Sequence, residues 1–263
     1  MEFLLLNFPN LLLIFCRITA FFVVAPVFSA RNVPAHFKIG FSFCVALLVF
    51  GVVPGDPVSF DGPYVLLIVR ETLVGLVLGF VAYIFFTIVQ VAGSFIDMQI
   101  GFSMANIIDP MTGTQSPIIG NLKFVLATLL FVTFGGHQML IRAVMDSYEW
   151  VPLSYDWFAR IADGQLTEFL VKSFATSFVL AFQMAAPIVA ALFLVDIGLG
   201  ILAKTAPQFN LFVIGLPLKV LLGLLMLTLL FPGFISLFFD LFETMFGHIE
   251  DVLNILAGSA AAP

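Results

Sequence analysis

The chain has 263 residues, of which 62% are hydrophobic and only 10% are charged, with a mean hydropathy of +1.16. Soluble domains are about half apolar, so this composition excludes an ordinary soluble domain and predicts an integral membrane protein or the core of a membrane assembly. The formal net charge of −6 forms no basic stripe, which argues against nucleic acid as a partner.

Six apolar segments follow one another, and all but the second are near or above the length that crosses a bilayer as a helix. They predict an all-α membrane protein with a single domain over residues 1–263 and with kinks or breaks at prolines. The first segment contains Arg17 and lacks a basic start, so we interpret it as a retained helix rather than a signal peptide. The segments are 3–28, 37–53, 64–96, 122–145, 169–203 and 211–239, and the prolines are Pro9, Pro26, Pro187, Pro217 and Pro232.

The connections between the segments differ in charge. The first carries Arg31 and Lys38, whereas the second carries only Asp56 and Asp61. Because basic residues favour the cytoplasmic side of a membrane, this asymmetry predicts an external N-terminus. If successive segments cross the membrane in alternating directions, residues 97–121 lie inside and the acidic tail, residues 240–263, lies outside.

Charged residues also lie within or at the edges of the apolar segments. An ionised side chain at the centre of a membrane costs at least about 2.5–3.5 kcal/mol, so these groups should pair across helices or face a channel within an assembly. For the two long side chains Arg17 and Lys219, reaching toward the membrane surface is the alternative. The six residues are Arg17, Arg70, Glu71, Asp97, Asp196 and Lys219.

Glycines at short spacing indicate close contact between helices. Gly75 and Gly79 share one helix face, and Gly198 and Gly200 follow Asp196. Faces of small residues allow two helix backbones to approach. The pattern predicts tight packing without identifying the packed partner.

Catalytic motifs are not recognisable in the sequence. His36, His137 and His248 lie in different thirds of the chain, without HExxH spacing, and there is no nucleotide-binding loop of the Walker A type. No Ser, His and Asp set has the spacing of a triad. We therefore predict a protein that is not an enzyme and that has no metal site and no cofactor.

One stretch interrupts the apolar pattern for about twenty residues: GFSMANIIDPMTGTQSPIIG, residues 101–120. Connections between packed helices usually have about 2–8 residues, and longer ones often have a function. Asp109 and Ser116 precede prolines and Gly113 favours a turn, so a helix should not continue here. Such a loop tolerates membrane depth only inside protein or beside water. Its mixture of apolar and polar residues favours a pore, and a loop packed on the protein's own surface is the alternative.

Four stretches resemble, in the same order, the FliR family, the R subunit of the flagellar type III secretion export gate, called the T subunit in virulence injectisomes. The resemblance implies a non-enzymatic subunit built of about six long, partly broken helices in bent hairpins within a helical, pore-forming hetero-oligomer. The stretches are RITAFFVVAPVFSARNVPAHFKIG, IDMQIGFSMANIIDPMTGTQSP, APIVAALFLVDIGLGILAK and APQFNLFVIGLPLK.

The same resemblance implies roles for particular residues. In the family a loop projects into the closed pore as a plug, and the matching positions are Met104, Ala105, Asn106, Ile107, Ile108, Asp109, Pro110, Met111, Thr112, Gly113, Thr114 and Gln115. Residues matching the approach to the loop and the C-terminal signature receive an assembly or structural role, as do the internal charges. The matching positions are Asp97, Gln99, Gly101, Pro207, Gln208, Asn210, Phe212, Pro217 and Lys219.

The resemblance also implies partners and a location. One R subunit joins five P and four Q subunits in the family, alongside other export apparatus membrane proteins, membrane lipid and the unfolded flagellar proteins that are exported. The expected location is the bacterial inner membrane, with much of the complex at the periplasmic level. The competing hypothesis is a self-contained secondary transporter, with residues 101–120 as a re-entrant substrate loop and Asp97 or Asp196 as the proton carrier.

Overall fold

A computed structural model describes residues 2–30, 32–52, 58, 62–102, 117–153, 164–208 and 210–258. The described residues form seven α-helices and no strand, so the prediction of an all-α protein is confirmed. The helices are α1 (Glu2–Val24), α2 (Ala35–Phe50), α3 (Tyr64–Ile100), α4 (Ile118–Thr133), α5 (Gly136–Trp150), α6 (Gln165–Thr205) and α7 (Leu211–Ala257).

Four of these helices are long and apolar enough to cross a membrane, and counting α4 and α5 together as one span raises the number to five. This is fewer than the six segments of the sequence. The second segment forms α2, which has 16 residues and is shorter than the roughly 20 that a bilayer requires. The fourth segment is divided at Gly135, whose φ of 75° is the left-handed conformation that favours glycine.

The prolines do not end the helices that contain them, so the expected breaks do not occur there. α1 continues through Pro9, α6 through Pro187, and α7 through both Pro217 and Pro232. Pro26 lies just after α1 ends. A proline removes one backbone hydrogen bond but does not end a helix whose other contacts hold it.

The C-terminal acidic segment also differs from a simple tail. α7 continues past Asp240 to Ala257, and one face of this extension is buried. The acidic side chains occupy the other positions of the same turns. Helical spacing of the apolar side chains accounts for the extension. The buried residues are Leu241, Phe242, Met245, Ile249, Val252, Leu253 and Leu256.

The chain divides into two compact units, and the prediction of a single domain stays a prediction. The first unit contains Met1–Ile84, Phe131–Ser173 and Glu243–Pro263. The second contains Phe85–Leu130 and Phe174–Phe242.

In the first unit, α3 lies directly against α1. A Cβ added at Gly75 would overlap the carbonyl oxygen of Arg17, and one added at Gly79 would lie 2.9 Å from the carbonyl oxygen of Phe21. Two backbones this close leave no room for a side chain. The prediction of close helix contact is confirmed for this glycine pair. Gly198 and Gly200 have no described atom within 4 Å of the corresponding position.

Candidate functional site: buried charges and the base of the interrupted stretch

The first unit contains a buried ionic network centred on Arg17 of α1. Its Nε donates to Oε2 of Glu71 on α3 at 2.6 Å, and both side chains are fully buried. Nη1 donates to the carbonyl oxygen and hydroxyl of Ser147, each at 3.0 Å, and Nη2 donates to the carbonyl oxygen of Val151 at 2.8 Å. The guanidinium also lies 4.0 Å from the ring centroid of Tyr148. Arg17 therefore does not reach for the membrane surface, and that alternative is wrong.

Arg70 completes this network from the other side of Glu71. Its Nη1 lies 3.4 Å from Oε1 of Glu71, and its Nη2 donates to the carbonyl oxygen of Pro152 at 2.8 Å. One carboxylate thus lies between two guanidinium groups. Charges in a low-dielectric interior must be paired and hydrogen-bonded. The contacts that satisfy these three charges come from α1, α3 and the end of α5, so the network joins these elements.

In the second unit, Asp97 holds the start of α4. Its carboxylate accepts hydrogen bonds from the backbone N–H of Ile119, at 3.0 Å to each oxygen, and of Gly120, at 3.1 Å. The first backbone N–H groups of a helix have no partner within it, and a carboxylate there also interacts favourably with the helix dipole. Asp97 was expected to pair with a charge; it instead caps a helix.

Three glycines make this arrangement possible. A Cβ added at Gly93 of α3 would overlap the Cα of Gly120 in α4. Gly101, just after α3, has a φ of 101°, which other residues rarely adopt. The two ends of the interrupted stretch are consequently held together by backbone contact and by the Asp97 cap.

A second polar cluster links α3, α6 and α7 within the same unit. Oδ1 of Asp196 lies 2.8 Å from Nζ of Lys219. Oδ2 of Asp196 accepts a hydrogen bond from Nε2 of Gln99 at 2.9 Å. Pairing was expected for Asp196 and is confirmed. Both Asp97 and Asp196 are thereby engaged, which leaves the proton-carrier hypothesis without support from their geometry.

The remaining predicted positions fall into two groups. The plug positions Met104–Gln115 lie outside the described residues, so that prediction remains one. In the C-terminal signature, Pro207 and Gln208 form a turn, and the carbonyl oxygen of Asn210 accepts hydrogen bonds from the first turn of α7. Phe212 and Pro217 lie within α7. These placements agree with a structural role without testing one.

Sequence reasoning missed Lys123, which lies near the start of the fourth apolar segment and is buried. A lysine inside an apolar segment was the available signal. It also missed Ser147 and Tyr148, because no local pattern marks them as partners of Arg17. Within the described ranges, no three His, Cys, Asp or Glu side chains come together to hold a metal ion.

Replacing Asp97 with alanine should destabilise the start of α4. Loss of a helix cap typically costs about 0.5–2 kcal/mol, and Asp97→Asn should cost less because an amide oxygen still accepts a hydrogen bond. The thermal unfolding of the purified protein in detergent measures this. The exposed Asp146 provides the control substitution Asp146→Ala. Equal unfolding temperatures for Asp97→Ala and Asp146→Ala would contradict the cap.

The long apolar helices, with most of their buried charges paired inside the chain, define a polytopic all-α membrane protein. Residues 8–245 match the model of the family described as bacterial export proteins, family 1. The chain belongs to this family.

Individual relatives agree with this assignment. The chain is 44% identical over 252 residues to the flagellar biosynthetic protein FliR of Bacillus subtilis (strain 168), covering 95% of each protein. It is 30% identical over 241 residues to FliR of Escherichia coli (strain K12), covering 91% of each. It is also 31% identical over 216 residues to the Yop proteins translocation protein T of Yersinia pestis, covering 81% of this chain and 82% of that protein.

Proposed function

We propose that this protein is a non-enzymatic core subunit of the flagellar type III protein export gate in the bacterial inner membrane. It helps to form the pore through which unfolded flagellar proteins leave the cytoplasm, and residues Met104–Gln115 plug that pore at rest. A membrane that maintains a proton gradient requires such a closure, because an open pore of protein size would dissipate the gradient.

The observation that carries the proposal is the construction at the base of residues 103–116. The Asp97 cap and the Gly93–Gly120 contact hold the end of α3 and the start of α4, which flank these residues, against each other. A plug has to re-enter one position after each transport event, so a rigid base is what the function requires. The mixed composition of the stretch supports contact with both protein and water.

The relatives support a flagellar rather than an injectisome role. Identity to the Bacillus subtilis protein named flagellar biosynthetic protein FliR is 44%, against 31% to the Yop proteins translocation protein T. Coverage is also higher for the flagellar protein, at 95% against 81% of this chain. The exported substrates are therefore proposed to be flagellar proteins.

We propose that the protein assembles with P and Q subunits, in a ratio of five P and four Q to one R. The exposed surfaces of α6 and α7 support the presence of apolar neighbours. In the most apolar window of α6 only 28% of the residues are buried, and in that of α7 only 11%, against 61% for α3. These surfaces need apolar neighbours, which lipid or other subunits supply. The buried or half-buried charges Arg17, Arg70, Glu71, Asp97, Asp196 and Lys219 already have partners inside the chain, so these six are not the reason for assembly.

Replacing Met104–Gln115 with a Gly/Ser linker of equal length should make the assembled complex conduct ions. If the closed state is favoured by a few kcal/mol, the wild-type pore is open at about the per cent level or less, and removal of the plug raises this fraction severalfold or more. Conductance of the purified complex in a planar bilayer measures the change. Equal length preserves the connection between α3 and α4.

The control replaces residues 154–163 with a Gly/Ser linker of equal length and should leave the pore closed. Subunit composition of each complex is checked before the recording. A closed pore in the complex that lacks Met104–Gln115 would refute the plug while leaving the family assignment untouched. Co-purification addresses the transporter alternative, because an export-gate subunit should bring two different hydrophobic partners in unequal amounts.

A further inference from the structure

A cavity of about 580 Å³ lies within the second unit, between α4 and α7. Pockets that bind small molecules usually have about 300–1,000 Å³ and combine apolar walls with a few polar groups. This cavity has that construction, since Lys123 and Thr228 are its polar lining residues. Its apolar lining includes Leu122, Leu224, Leu227, Phe231, Phe234 and Phe238.

Lys123 contributes to the wall of this cavity, and its buried ammonium lies against Phe234, which also lines it. Its side chain is buried, with 4% of the residue exposed, and its Nζ lies 3.8 Å from the ring centroid of Phe234. Among the described residues, Nζ has no hydrogen-bond partner. The aromatic face offsets part of the lost hydration, and a neighbouring anion would stabilise the charged form of the lysine further. Lys219 in the same unit has such a partner in Asp196.

The shape of the cavity adds a second requirement. Its α7 wall runs from Leu224 to Phe238, which corresponds to about 21 Å of helix. Phe234, the ring beside the Lys123 ammonium, lies toward one end of this wall. Leu122, Leu224 and Phe231 are substantially exposed, so the cavity opens onto the apolar surface of the protein. An occupant should therefore be a long apolar chain with a negative charge near one end.

We infer that this cavity binds an anionic phospholipid, with the acidic headgroup at Lys123 and an acyl chain along α7. Inorganic phosphate would meet the charge but would leave the apolar wall uncovered and lose its own hydration. A zwitterionic lipid would cover the wall but bring its own positive group to the buried lysine. Basic pockets between membrane helices are suited to acidic headgroups for the same reason. The inference does not depend on the plug.

Lipid retention by the purified complex tests the site. The complex is placed in phosphatidylcholine nanodiscs that are titrated with phosphatidylglycerol, and native mass spectrometry then counts the retained phosphatidylglycerol. Lys123→Met should lower the apparent affinity about tenfold, because it removes the charge-assisted contact and keeps an apolar side chain of similar length. Lys172→Met, at an exposed lysine of α6, is the matched control and should change nothing.

Two further variants separate the effect of the lysine charge from the effect of the cavity shape. Lys123→Arg keeps the charge and should retain phosphatidylglycerol as the wild type does. Leu227→Trp keeps the lysine but fills the cavity, and it should reduce retention. Equal retention by wild type and Lys123→Met would overturn the inference, and so would a cross-link from Lys123 to an acidic residue of a partner subunit. If Lys123→Met does not assemble, the Leu227→Trp complex decides, because unchanged retention there rules out this cavity.

Discussion

Replacing Glu71 with glutamine is expected to be among the most damaging single substitutions in this protein. Glu71 is fully buried between the guanidinium groups of Arg17 and Arg70, and its carboxylate is the anion that both of them contact. Removing one partner of a buried ionic pair typically costs about 3–5 kcal/mol, because the remaining charge stays buried. Here two positive charges would face each other without the carboxylate. The amount of assembled complex in membranes and its thermal unfolding in detergent both measure the loss.

The network also predicts an order among variants. Arg17→Met should cost less than Glu71→Gln, because the contact between Arg70 and Glu71 survives and remains electrically balanced. Combining Arg17→Met with Glu71→Gln should recover part of the stability lost in Glu71→Gln alone, since one of the two opposed guanidinium groups disappears. Glu149→Gln, at an exposed glutamate, is the isosteric control and should be nearly neutral. A double variant less stable than Glu71→Gln would contradict the proposed balance of charge.

Gly75→Ala is expected to separate α1 from α3. The added methyl group would overlap the backbone carbonyl of Arg17, and backbone cannot move aside as a flexible side chain does. Overpacking of this kind costs about 1–3 kcal/mol and more when the neighbour is rigid. The shift would also disturb Arg17, whose hydrogen bonds depend on the position of α1. Thermal unfolding of the purified chain in detergent is the measurement.

Gly198→Ala is the control, because its expected effect on stability is absent or opposite to that of Gly75→Ala. No described atom lies within 4 Å of a Cβ at this position, so alanine should be neutral or stabilise α6 by up to about 1 kcal/mol through its better helix propensity. Gly79→Ala should be intermediate between neutral and Gly75→Ala, because its nearest backbone oxygen is 2.9 Å away. Equal unfolding temperatures for Gly75→Ala and Gly198→Ala would show that the α1–α3 contact is looser than described.

Much of the architecture was predictable because it depends on local pattern. Long apolar runs predicted the helices, and the mixed run at residues 101–120 predicted the gap between α3 and α4. The helix ends were less predictable. α7 extends to Ala257 because apolar side chains continue at helical spacing among the acidic ones, whereas average hydropathy falls at Asp240. The break at Gly135 was missed although the Gly135–Gly136 pair is a turn signal, because the apolar residues on both sides of it continue the hydropathy of one segment.

The partners of the buried charges were the least predictable feature. Hydropathy identified Arg17, Glu71 and Asp97 as groups that need neutralisation, because membrane burial of a charge is costly wherever it occurs. Arg17 donates a hydrogen bond to Ser147, which is 130 positions away in the chain. Asp97 accepts hydrogen bonds from the start of a helix rather than pairing with a cation. Such pairings depend on which helices come together, and no local pattern contains that information.

Composition and periodicity were thus sufficient for an all-α membrane protein, for the position of its interrupted stretch and for the list of charges needing partners. Those properties follow from the free energy of transferring each residue from water, which is a property of the residue itself. The tertiary structure decided which groups pair with the buried charges, why Gly75 is tightly packed and Gly198 is open, and that Lys123 lines an apolar cavity. These depend on long-range contacts, where a difference of one side chain decides whether two backbones meet.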